Sequence, residues 1–259
     1  MKTLVLDVLR SRRIALVILL LGLFGITVGY LALFPQLEEQ LQAFAGDIPE
    51  FYDALVGDAD FSTPAGYIRT QVYALLAPLI AAGVSIAVAA GLAKQERAVT
   101  LTPYYLAPVS RMALSGAHLL AAWTLGLVAG IGVFAGVLVG APLAGAAVSL
   151  AGVAAATVAL VGLVWAAAAV AWVVGAATGA PGAASGAGWA FVALSFLANS
   201  VGEVVEPLEW LTIVSPWGWY GAGAPVTDGF DPMSLLLFVI AVALVPVGIA
   251  SFERRDLAL

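Results

Sequence analysis

Six uninterrupted apolar runs, at 14–34, 72–93, 114–140, 146–177, 183–201 and 235–251, decide what this chain can fold into. At about 1.5 Å per residue, each is long enough to cross a hydrocarbon core of roughly 30 Å as a helix. Lipid offers no hydrogen-bond partner to a bare backbone, so a continuous apolar run must satisfy itself as a helix. Barrel strands alternate with period two, and these runs do not. The expected fold is an all-α polytopic membrane protein with six transmembrane helices. A hydrophobic fraction of 63% with 10% charged residues excludes an ordinary soluble domain.

Charge is sorted across that plan. Lys2, Arg10, Arg12, Arg13, Lys94, Arg97, Arg111, Arg254 and Arg255 share one side, and only Arg69 lies opposite. By the positive-inside rule both termini are expected in the cytoplasm, in a multi-pass protein of the cell membrane. The overall charge of −6 divides into +5 inside and −11 outside, because twelve of the sixteen acids fall outside. The acidic outer face reads as a hydrated surface; recruitment of cations is the other reading. The first run is too long for a signal-peptide core and is read as a retained helix.

Between the runs, four polar segments stand out. Residues 2–13 read as an interfacial amphipathic helix, with Leu4, Val5, Val8 and Leu9 on one stripe and Arg10, Arg12 and Arg13 as interfacial anchors. The outer loop 35–71 carries seven acids with interleaved apolar residues, which suggests short surface helices. Loop 94–113 is the longest one inside. Segment 202–232 is rich in aromatic and acidic residues and reads as an outer re-entrant hairpin, with Trp210, Trp217 and Trp219 forming either an outer gate or a headgroup belt. Gly132, Gly136 and Gly140 repeat every four residues, so they share a helix face and permit a close crossing, read as packing within the subunit.

Chemistry is sparse. No phosphate-binding glycine loop occurs, cysteine is absent, and His118 is the sole histidine, read as a packing residue. No serine within the runs has a base at hand other than His118, so an enzyme is not expected. The centres of the runs hold no Asp, Glu, Lys or Arg, which argues against an ion-coupled carrier. Energy must then enter through a partner on the cytoplasmic loop.

That loop reads Glu96-Arg97-Ala98-Val99-Thr100-Leu101, then Leu106-Ala107-Pro108-Val109-Ser110-Arg111. It resembles the cytoplasmic motif of ABC-2-type transporter permeases, E-x-x-G-T-L followed by L-x-x-P-V-S-R, with Val99 in place of the glycine. The likeness extends over the whole chain, 1–259, as a single transmembrane domain. It implies a coupling helix that seats in a separate ABC ATPase subunit through Glu96, Thr100, Leu101, Pro108, Ser110 and Arg111. It also implies a second permease subunit, identical or related, and contact with membrane lipid but no nucleic acid. The chain itself is expected to bind no cofactor, ATP and Mg²⁺ being used by the ATPase. The function so implied is the permease subunit of an ATP-driven exporter. The competing reading is a non-transporting scaffold or assembly factor that holds a partner through its acidic outer loop.

Overall fold

The computed structural model of the chain describes residue 8 and residues 10–45, 62–97 and 110–255. Among them six helices are long and apolar enough to cross a membrane, at Arg13–Gln40, Pro64–Arg97, Met112–Ala144, Leu150–Thr178, Pro181–Val204 and Pro232–Arg254. No strand occurs among the described residues. The chain is therefore an all-α, multi-pass membrane protein. Six crossings bring the start of the first span and the end of the last to one end of the bundle, the basic end; the opposite end carries the short helices after Val204 and is called the hairpin end.

Two spans extend beyond their apolar runs. The first helix, α1 (Arg13–Ala45), continues through Pro35. The missing N–H of Pro35 leaves one carbonyl unpaired, but Gln36, Leu37, Glu38, Glu39 and Gln40 beyond it are good helix formers that carry the helix on. The second helix, α2 (Pro64–Arg97), starts with a proline at its first position, and Thr63 Oγ1 accepts the Gly66 N–H at 3.1 Å as its cap. The stretch read as a loop over 35–71 is thus helical at both ends as prolongations of the spans. Its middle, 46–61, lies outside the described residues, as does most of the segment read as an interfacial helix.

The third span is α3 (Arg111–Gly140), the fourth α4 (Leu150–Thr178) and the fifth α5 (Pro181–Val204). Apolar on every side, α4 takes the centre of the bundle, where α2, α3, α5 and the last helix pack around it. Its alanines and glycines let those neighbours approach closely. Two tryptophans join α3 to α4 in a reciprocal arrangement: Trp123 Nε1–H donates to the Trp165 carbonyl at 3.1 Å and Trp165 Nε1–H to the Trp123 carbonyl at 2.9 Å. The rings stack with centroids 4.9 Å apart. Both indole donors, costly to leave unpaired in hydrocarbon, are satisfied.

The glycine face of α3 meets α1. A methyl placed on Gly136 would lie 2.7 Å from the Thr27 side chain, one on Gly132 2.9 Å from the Leu20 carbonyl, and one on Gly140 2.8 Å from Leu31. The repeat is an intramolecular seam, as its spacing predicts.

Beyond α5 the chain forms α6 (Trp210–Val214), α7 (Pro216–Tyr220) and α8 (Pro225–Asp228), then α9 (Leu235–Arg254), the sixth span. The hairpin dips inward. Ser215 Oγ–H donates to the Ser195 carbonyl at 2.6 Å, nine residues before the end of α5, or about 13 Å below it at the helical rise.

Candidate functional site

At the hairpin end α2 leaves α-helical geometry. Residues Ile68–Leu76 form a π-helix, with the Ala77 N–H bonded to the Val72 carbonyl five residues back. In that register the Tyr73 carbonyl needs the N–H of residue 78, which is Pro78 and has none. The hairpin supplies the donor: Tyr220 O–H reaches the Tyr73 carbonyl at 2.6 Å. Tyr73 itself hydrogen-bonds through its hydroxyl to Thr157 Oγ1 on α4, at 2.9 Å. The hairpin comes this close because its turn residue is Gly223, at φ +86°, where a Cβ would sit 2.7 Å from Tyr73 Cβ. Wide turns of this kind recur at functional sites.

The π-helical face and α5 border an open-sided cavity of about 440 Å³, within the range of small-molecule sites. Thr70, Gln71, Ala74 and Leu75 come from the π-helix, Pro78 and Leu79 from below it. Trp189, Val192, Ala193 and Phe196 come from α5, and Trp217 from the hairpin. The lining is aromatic and aliphatic, with Thr70 and Gln71 its polar side chains, and no charged residue takes part. Such a lining is chemically suited to flat apolar molecules, which aromatic faces can orient.

The three tryptophans of the proposed gate separate. Trp217 is 7% exposed, edge-on to Phe196 and Tyr220 at 5.1 and 5.4 Å, and lines the cavity. Trp219 donates its indole N–H to the Ile213 carbonyl at 2.7 Å and so closes the α6–α7 corner. Trp210 is 56% exposed and does not line the cavity. Trp217→Ala is therefore expected to lower stability in detergent by about 3–5 kcal/mol, the usual result of emptying a packed aromatic site. Trp210→Ala should change it by less than about 0.5 kcal/mol. Thermal unfolding followed by size-exclusion chromatography separates the two.

At the basic end the structure describes three of the six residues read as coupling contacts, Glu96, Ser110 and Arg111. Thr100, Leu101 and Pro108 lie outside the described residues. Ser110 is the N-cap of α3, its hydroxyl oxygen accepting the Ala113 N–H at 3.2 Å, and Arg111 is the first residue of that helix. Glu96 is 5% exposed and ion-paired with Arg255. Of the three arginines read as anchors, Arg10 and Arg13 are exposed, while Arg12 is half-buried with its guanidinium near Gly91. His118 is buried; its Nδ1–H donates to the Leu114 carbonyl at 3.2 Å, and its ring borders the same Gly91.

Sequence reasoning singled out neither the cavity residues of α2 and α5 nor Arg255 as the partner of Glu96. Pro78 in an otherwise regular span was the one local signal for the first.

Residues 6–253 match the family described as multidrug efflux system permease Rv1217c, C-terminal domain. No curated protein matches the chain.

Proposed function

The chain belongs to this efflux-permease family, and on that premise we propose that it is the membrane subunit of an ATP-driven, ABC-2-type exporter for apolar aromatic compounds. In this reading ATP is hydrolysed by a separate ATPase subunit, and a second permease subunit completes the pathway. The observation that supports the reading best is the cavity between α2 and α5. It is membrane-embedded, aromatic and free of charged residues, which suits hydrophobic substrates held by shape and stacking. With no ionisable group there to bind and release a proton, the energy is best supplied through the loop 96–111, whose motif resembles an ATPase-coupling helix. The concentration of basic residues at the end that carries the termini supports a cytoplasmic location for it.

Affinity purification from native membranes in mild detergent, with mass spectrometry of what co-elutes, tests this. An ATPase subunit in near-equal amount is the expected result. Recovery of a partner bound only to the acidic loop, with no ATPase, points instead to a scaffold.

A further inference from the structure

We infer that Arg255 is a positioning residue for the basic end: its guanidinium fastens the ends of α2, α4 and α9 together, and Glu96 acts through it rather than by touching a partner subunit. The two residues are 159 positions apart in sequence, yet Arg255 Nη2 pairs with Glu96 Oε2. The Glu96 side chain is 5% exposed and that of Arg255 19%, so the carboxylate is withdrawn from water and from a partner's reach while the arginine stays partly exposed. The seat is built for the guanidinium. Gly179 ends α4 in the left-handed conformation, φ +62°, and Arg255 occupies the space where a side chain at 179 would begin. The Phe252 ring, fully buried, lies 5.9 Å from the guanidinium carbon.

The same junction is closed by small residues. Gly175 of α4 faces Ala184 of α5 and Ala93 of α2, with 3.2 and 3.7 Å to each from where its Cβ would stand. The ends of α2, α4 and α9 therefore meet at the ion pair, with α5 packed against α4 about one turn away. Lys94 and Arg97, on the same last turns of α2 as Glu96, are exposed and are the side chains available to a partner or to lipid headgroups. A buried charge stripped of its counter-charge is strongly destabilising, whereas the pair as a unit is close to neutral. Removing either partner should consequently free the end of α2, from which the chain enters the segment read as the coupling loop. This consequence for coupling rests on the exporter reading above.

A charge-swap cycle on the full chain in lipid nanodiscs and native membranes tests the inference. Glu96→Arg and Arg255→Glu are each expected to raise amide exchange over 91–97 by about tenfold, and the double swap to restore most of the protection. Capture of the ATPase subunit should fall and recover in step. If the double swap restores protection but not capture, Glu96 touches the partner directly and the inference is overturned, with the exporter reading intact. If single reversals leave exchange unchanged, the clamp does not exist. Should the wild-type chain capture no ATPase, the exporter reading fails while the exchange cycle still decides the clamp. Where the reversals prevent insertion, Gly179→Ala keeps both charges but places a methyl in the guanidinium's seat. It should loosen 91–97 as well, and unchanged exchange in that variant would refute the arrangement.

Discussion

Gly248→Val is expected to abolish recovery of monodisperse protein from detergent, whereas Gly25→Val, in another span, leaves it unchanged. Gly248 lies on α9 directly against the ring of Trp172, the largest fully buried side chain of α4, and a Cβ there would overlap the indole. Trp172 has no freedom to retreat. Its Nε1–H donates to the Ser115 carbonyl at 3.0 Å on the other flank, so any displacement also strands a donor in hydrocarbon. Overpacking of a dense core costs about 1–3 kcal/mol, and the lost indole hydrogen bond about 1–3 more. Together these come to about 2–6 kcal/mol, a large share of the stability of a marginal domain, about 5 kcal/mol at the low end of the usual range. A Cβ at Gly25 meets nothing within 4 Å, because that face of α1 is turned outward. Size-exclusion profiles of the two variants make the comparison. A second-site change, Trp172→Leu, should return part of the recovered yield in the Gly248→Val background, since the clash is pairwise.

What the sequence discloses of this fold follows from which interactions are local. A run of twenty apolar residues declares a span wherever it occurs, so the six crossings are readable without coordinates. The four-residue spacing of Gly132, Gly136 and Gly140 announces a close crossing but not that α1 is what fills it. The π-helix is less visible still. Pro78 shows that a carbonyl will lose its donor, while the replacement, Tyr220, comes from a hairpin 147 residues away from Tyr73. Glu96 illustrates the opposite difficulty. A charged residue at a helix end beside a polar loop is ordinarily solvated, and nothing near it in sequence reveals that Arg255 buries it. The cavity, likewise, exists only because two non-adjacent helices and a hairpin converge. Its residues are aromatic and aliphatic like those of every other span surface.

On the exporter reading, Ala193→Phe is expected to reduce efflux of a neutral planar dye such as Nile red at least tenfold in cells that express the complete transporter, with membrane insertion and ATPase capture unaffected. Ala193 projects from α5 into the 440 Å³ space between Trp189, Phe196 and Trp217, and a phenyl ring there occupies the surface on which a flat substrate would lie. The loss of a single stacked contact of about 1.4 kcal/mol already accounts for a tenfold change. Because the new group is as apolar as its surroundings, the insertion energetics of α5 scarcely alter. Ala190→Phe supplies the control. It lies on the same helix, three residues earlier, at an exposed position that does not line the cavity, so it adds the same ring without narrowing the space. Equal efflux in both variants would remove the cavity from the pathway and leave lipid-facing or intersubunit surfaces to carry the substrate. A selective loss in Ala193→Phe, together with weaker binding of the same neutral dye read from quenching of tryptophan fluorescence in nanodiscs, separates a blocked site from a blocked motion. A variant that merely stiffens the helices keeps its affinity for the dye and loses only its turnover, whereas a filled cavity loses affinity first.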